Sequence, residues 1–270
     1  MTTVEPARRI GLRMLVMIPV FFVFLLAEAG LSSVAAGNAI AALVVGGATA
    51  VGGLMLYRFM VRRLERRSAD EAGLRDLGPG VLRGAGLGVA LFAVTIAIIA
   101  VLGGYRIAGW GSLPGTIATF GTMVGAAVAE ELLFRGVLFR LLQEWAGTAV
   151  ALVASGALFG GLHLLNPGAT LWGAIAIACE AGVLLGAAYA ATRSLWVPIG
   201  LHLGWNFAES GLFGTAVSGA GGEPHGLLRG VTEGPAAISG GSFGPEGSVV
   251  AILVGGVAAA LFLRAARRRA

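Results

Sequence analysis

The sequence predicts an all-α, polytopic membrane protein, a bundle of about eight transmembrane helices with both termini in the cytoplasm. Hydrophobic residues make up 57% of the 270 residues and charged residues 12%, whereas soluble domains carry about 25% charge. Apolar runs of about 20 residues, the length that crosses a bilayer, recur along the chain. They predict helices at 13–32, 36–57, 84–103, 117–142, 147–165, 169–191, 195–214 and 247–265.

The basic residues indicate how these helices are oriented. All nineteen are Arg, and most of them lie before the first predicted helix, after every second one, and at the end of the chain. The opposite loops hold only Arg106 and Arg229. By the positive-inside rule the Arg-rich side is cytoplasmic, which places both termini there and agrees with an even number of spans. The Arg-rich segments are 8–13, 58–83 and 264–269.

The domain organisation follows from the same pattern. Residues 1–270 form a single integral membrane domain, and the Gly-rich and Pro-containing stretch 214–247 is expected to be a flexible extracytoplasmic loop. The net charge of +5 is concentrated on one face, so the expected partner is the lipid bilayer and not nucleic acid. Abundant Ala, Gly and Arg without Lys indicate a GC-rich bacterial genome, and therefore a bacterial plasma membrane.

Three polar motifs interrupt helices that are otherwise apolar. An ionisable group in the middle of a span costs roughly 2.5–3.5 kcal/mol on insertion scales, so groups that are retained there usually have a function. Residues four apart lie on one face of a helix, and each motif contains such a pair. The motifs consist of Glu130, Glu131 and Arg135; of Phe159 and His163; and of His202 and Asn206.

The sequence does not contain the residues that other intramembrane hydrolytic mechanisms need. The only two Asp residues, Asp70 and Asp76, fall in an Arg-rich loop, which excludes an intramembrane aspartyl pair. Without Lys there is no Ser-Lys dyad, and neither H-E-x-x-H nor G-x-S-x-G occurs. What remains at membrane depth is carboxylate, imidazole and amide groups, which indicates an intramembrane hydrolase.

Helix geometry predicts how the motifs are arranged. Glu131 and Arg135 should form an ion pair, which leaves Glu130, about 100° away around the helix, free to face the interior. Counting 1.5 Å per residue from the cytoplasmic ends puts Glu130 roughly 20 Å deep, His163 roughly 25 Å and His202 roughly 10–15 Å. The three helices are therefore expected to meet at one cavity that opens toward the cytoplasm.

The three motifs, in this order, resemble the CAAX protease and bacteriocin-processing family of type II prenyl-protein endopeptidases. The family pattern is Glu-Glu-x-x-x-Arg on one helix, Phe-x-x-x-His on the next, and His-x-x-x-Asn or Asp on a later one. The resemblance covers a catalytic core of about residues 115–213. It implies an intramembrane endopeptidase that cleaves membrane-associated peptides or proteins.

The resemblance also implies roles for the residues. Glu130 would be the general base, His163 would orient the water, and His202 with Asn206 would bind the oxyanion, while Glu131, Arg135 and Phe159 would support them. A metal-free site is favoured, with no cofactor. The alternative is a zinc metalloprotease in which Glu130, His163 and His202 are the ligands.

Two further classes of function are compatible with the sequence. Intramembrane ionisable groups also form relays in proton-coupled transporters, although the sequence contains no matching pair of broken helices. A scaffold that binds partner proteins or confers bacteriocin immunity would need no catalytic carboxylate.

Overall fold

The computed structural model describes residues 4–221 and 225–268, and helices dominate this part of the chain. Short π-helical segments interrupt or extend several of them. The helices are α1 (Val4–Ala35), α2 (Ala39–Met60), α3 (Leu77–Val101), α4 (Leu113–Glu131), α5 (Arg140–Leu162), α6 (Leu171–Ile177), α7 (Val183–Thr192), α8 (Trp196–Asn206), α9 (Ala236–Ser239) and α10 (Val249–Arg267).

The protein is a polytopic all-α membrane protein. Within the described residues, six helical segments are long and apolar enough to cross a membrane. One of them, Leu113–Leu165, has 53 residues and bends at Gly147, where φ is 84° and ψ is 173°. Each of the eight predicted intervals overlaps helical structure, but α8 and the π segment after it are shorter than a typical span. The count of eight and the cytoplasmic termini remain predictions.

The stretch 214–247 contains regular structure that the sequence pattern did not predict. Strand β2 (Leu228–Thr232) pairs antiparallel with β1 (Tyr105–Trp110), which lies between α3 and α4. The Tyr105 hydroxyl donates a hydrogen bond to the Phe213 carbonyl oxygen at 2.8 Å, and burial raises the pKa of this phenol. This small sheet and α9 tie the segment to the ends of the long helices.

Glycines bring the helices that carry the polar motifs close to their neighbours. On α8, a Cβ added at Gly204 would lie 2.2 Å from the Ala85 carbonyl oxygen of α3. On α2, a Cβ at Gly46 would lie 1.9 Å from the Gly121 carbonyl oxygen of α4. Such backbone approach is how transmembrane helices gain packing that apolar side chains cannot gain over lipid. It fixes the depth and rotation of α4 and α8.

Arginine side chains contact buried acids near the start of α3, at the end of this helix remote from the β1–β2 sheet. Glu65 and Glu71 are almost fully buried, and Arg67 bridges them with contacts of 2.7 Å to each. Arg140 contacts Glu65 at 2.5 Å, while the Tyr57 hydroxyl donates to Glu71 at 2.5 Å. The hydrogen bonds to Glu71 hold the pKa of the Arg67 guanidinium above its ordinary value. This network joins α2, the loop before α3, and α5.

Gly204→Ala should destabilise the bundle, because the added methyl group meets backbone of α3 and the two helices must separate. We expect a loss of about 1–3 kcal/mol, as for other overpacked sites, measured by thermal unfolding in detergent. Gly86→Ala on α3 is the matched control, since a Cβ there meets nothing within 4 Å. Equal unfolding temperatures for the two variants would contradict the tight α3–α8 contact.

Candidate active site

Three π-helical segments adjoin the motif residues. Leu132–Phe139 follows Glu131 directly, Ala178–Gly182 separates α6 from α7, and Phe207–Leu212 follows Asn206. A π turn widens the helix and leaves backbone groups less completely paired, and such turns are frequent at functional sites. Here they surround the point at which α4, α5 and α8 approach one another.

Glu131 is at the centre of the polar network. Its Oε1 accepts a hydrogen bond from Arg135 Nη1 at 2.8 Å and one from His202 Nδ1 at 3.0 Å. The Glu131–Arg135 pair predicted from the spacing is therefore present, and both side chains are buried. The contact with His202 was not predicted. Because a carboxylate only accepts, Nδ1 of His202 carries a proton and its Nε2 points elsewhere.

Arg135 links Glu131 to two other helices. Its Nη2 donates to the carbonyl oxygens of Ala181 and Gly182, at 3.1 and 3.2 Å, where the second π segment ends. Its guanidinium carbon lies 4.7 Å from the centroid of the Phe159 ring, a cation–π distance. One buried cation thus connects α4, α5 and the α6–α7 helix pair.

His163 is held by its own helix. Its Nδ1 lies 2.7 Å from the Phe159 carbonyl oxygen, which can only accept, so Nδ1 is the donor and Nε2 is left for other partners. The Phe159 ring packs against both imidazoles, with centroid distances of 4.8 Å to His163 and 6.0 Å to His202. Phe159 therefore contacts both imidazoles, and its supporting role stays a prediction.

Glu130 is the most accessible of the charged groups at this point. Its side chain keeps 18% of its surface exposed, against 6% for His202 and none for Glu131. Glu130 Oε2 lies 3.9 Å from His202 Nε2, too far for a hydrogen bond but close enough for a strong electrostatic interaction. Asn206, one turn beyond His202, lines a small cavity with it and with Glu180.

The zinc alternative needs three converging ligands. In the described part of the chain, no three His, Cys, Asp or Glu side chains form a group suited to a metal ion. Nδ1 of each imidazole has a protein acceptor, which leaves each Nε2 available to other groups, and Glu130 Oε2 lies 3.9 Å from His202 Nε2. The predicted ligands Glu130, His163 and His202 do not converge as a three-ligand group in this arrangement.

Two further acids are buried. Glu28 and Glu209 have exposures of 2% and 0%. The Ser32 hydroxyl donates to Glu28 at 2.6 Å, and Glu28 lies within electrostatic range of Glu130. Glu28 and Ser32 are four residues apart on α1, so their hydrogen bond could have been predicted from the sequence. The burial of Glu28 depends on packing against other helices, which the spacing does not reveal.

A family model described as type II CAAX prenyl endopeptidase, Rce1-like, matches residues 110–208. The match shows a similarity to that family over this part of the chain. It covers less than half of the 270 residues but includes all seven motif residues, and it overlaps the expected core of 115–213. No curated protein and no solved structure matches the chain. The matched family consists of endopeptidases, which makes peptide-bond hydrolysis the activity to test.

Arg135→Ala should destabilise the folded protein strongly, because Glu131 would keep a buried charge without its partner. Breaking a buried ion pair costs about 3–5 kcal/mol, which thermal unfolding in detergent would detect. Arg13→Ala is the control: Arg13 pairs with Glu144 at 3.4 Å on the surface, and such pairs contribute about 0–1 kcal/mol. A similarly small loss of unfolding free energy in both variants would show that Arg135 does not hold α4, α5 and the α6–α7 pair together.

Proposed function

We propose that this protein is an intramembrane endopeptidase in which Glu130 activates water for attack on a peptide carbonyl group. The single observation that carries the proposal is the position of Glu130: partly exposed, and facing His202 Nε2 at 3.9 Å, inside an otherwise buried polar network. A base must reach water, while the groups that stabilise charge act best in a low-dielectric surrounding.

In this mechanism Glu130 takes a proton from water as the oxygen attacks the carbonyl carbon of the substrate. His163 Nε2 accepts a hydrogen bond from the same water and orients it. His202 Nε2–H and the Asn206 amide donate to the oxygen that becomes negative. The tetrahedral intermediate then expels the amine, which receives the proton from Glu130, so that water and peptide bond become a carboxylic acid and an amine.

The charges favour a protonated His202. Its Nδ1–H is directed at Glu131, so Nε2 can donate to an oxyanion only if the imidazole carries both protons. The local charges then balance, with Glu130 and Glu131 negative and Arg135 and His202 positive. A balanced group of four is far less costly to bury than one with excess charge.

Glu130→Gln should remove turnover while the protein stays folded and in the membrane, because the amide keeps the shape and loses the base. General bases contribute about 10²–10⁴ in rate, so cleavage should fall by that factor. The measurement is mass spectrometry of a panel of membrane-associated peptides incubated with purified protein in detergent.

Glu144→Gln is the matched control, since this carboxylate is half exposed at the surface and pairs only loosely with Arg13. It should cleave as the wild type does. Cleavage by the Glu130→Gln variant within a few-fold of wild type would end the proposal, and the transporter and scaffold functions would then be the ones to test.

The proposed site works without a metal. Prolonged chelation should therefore leave cleavage intact, and elemental analysis should find well below one zinc per chain. His202→Ala should lower kcat about 10²–10³-fold with Asn206 still present, as for the loss of one oxyanion donor. Zinc at one per chain that follows activity through chelation and re-addition would replace this mechanism by the zinc-dependent one.

A further inference from the structure

An apolar groove of about 620 Å³ lies between α3 and α10, and none of its lining residues belongs to the polar motifs. Every lining residue is Leu, Val, Ala or Phe. Both helices belong to segments that are long and apolar enough to cross a membrane. The volume of the groove falls in the range of ligand-binding sites. The groove therefore offers an apolar ligand a cleft on the outer surface of the bundle.

The two helices run antiparallel, which brings the start of α3 beside the end of α10. Ile96 and Ile99, in the second half of α3, belong to the same apolar cluster as Val250 at the start of α10. Leu91, earlier on α3, packs against the cluster that contains Ala258. Residue numbers therefore fall along α3 as they rise along α10, and the Arg-bearing ends of both helices lie at the same end of the groove.

A small buried residue forms the floor of the groove. On α10, the lining residues Leu253 and Val257 are 63% and 64% exposed, whereas Ala258 beside them is 7% exposed. The alanine leaves space next to the larger side chains of the rim, so the surface here is a cleft and not a flat apolar face.

Each helix carries an arginine next to the groove at its Arg-rich end. Arg83 lies four residues before the lining residue Leu87, and Arg264 lies three residues after the lining residue Leu261. Each arginine is thus on the face of its helix that lines the groove. Both are exposed, and neither forms an ion pair or a side-chain hydrogen bond with any residue that the structure describes. Two unpaired positive charges therefore adjoin one end of an apolar cleft.

The length of the groove matches one leaflet of a bilayer and not a membrane-spanning helix. Its lining runs from residue 87 to 94 on α3 and from 253 to 262 on α10. At 1.5 Å per residue these stretches extend roughly 10–14 Å. The hydrocarbon core is about 30 Å thick, so the groove covers about half of it. An acyl chain occupies one leaflet, with its headgroup at the end where the arginines lie.

We propose that the α3–α10 groove binds one anionic phospholipid, with an acyl chain along residues 87–94 and the phosphate between Arg83 and Arg264. Basic pockets between transmembrane helices bind anionic headgroups, and a guanidinium can donate two parallel hydrogen bonds to a phosphate. The site shares no residue with the polar motifs, and the inference does not depend on the proposed function.

Native mass spectrometry of the delipidated protein in detergent tests the charge of the site. Phosphatidylglycerol should bind more tightly than phosphatidylcholine, whose headgroup has no net charge. Arg83→Gln combined with Arg264→Gln should weaken phosphatidylglycerol binding about 25-fold, since each arginine near an anionic headgroup contributes about fivefold. The control combines Arg62→Gln with Arg63→Gln, which removes the same charge from exposed positions after α2. Equal weakening by the two pairs, or equal binding of the two lipids, would overturn the site.

The acyl-chain part of the site is tested by filling the groove. Val257→Trp should weaken phosphatidylglycerol binding about tenfold or more, because an indole and an acyl chain cannot share the groove. Leu253→Trp is a second obstruction at an equally exposed position, so a folding defect in one variant leaves the other. Val153→Trp is the matched control, since Val153 on α5 is 73% exposed and does not line the groove.

Two further results would contradict the inference. Glycerol 3-phosphate, which has the phosphate without acyl chains, should not displace the lipid at equal concentration; if it does, or if both groove variants bind as the wild type, the phosphate alone is recognised. A dimer that Val257→Trp disrupts, together with no preference between the two lipids, would assign the groove to contact between two copies of this chain.

Discussion

Arg135 is the largest fully buried side chain among the described residues, and its need for partners constrains the centre of the bundle. A guanidinium has five donors and cannot give up its charge, so helices must supply acceptors from several directions. Glu131 lies on the same helix, Ala181 and Gly182 present carbonyl oxygens from the second π segment, and Phe159 covers one face. The rotation of α4 that brings Arg135 to these acceptors also sets where Glu130 points.

Glu131 transmits this constraint to α8. The same oxygen that accepts from Arg135 also accepts from His202 Nδ1, so the imidazole is held by a carboxylate that is itself fixed. His202 Nε2 is thereby directed toward Glu130. The spacing predicted the pairing of Glu131 with Arg135, and the structure adds a second contact of the same carboxylate, with the His202 ring. A precisely oriented donor contributes more to charge stabilisation than a mobile one, because little reorganisation is needed.

The sequence predicted the features that depend on local helix geometry. Glu131–Arg135 and Phe159–His163 are four apart, and a helix places such residues in contact whatever surrounds it. Contacts between helices depend on depth and rotation, which here are set by close backbone approaches at Gly46, Gly121 and Gly204. That is why the Glu131–His202 contact, the burial of Glu28 and the β1–β2 pair could not be derived from spacing.

A hydrolase inside a bilayer must admit water without exposing its charges to lipid. In the proposed mechanism, different faces of α4 would meet the two requirements. On α4, Gly121 and Gly125 pack against α2, and a Cβ at Gly125 would collide with Glu28 and Thr49, so that face is closed. Thr119, Thr122, Met123, Ala126 and Glu130 lie on another face and stay partly exposed. Small residues thus bring the backbones of α2 and α4 together on the closed face, and Ala126 provides a small side chain next to Glu130 on the other.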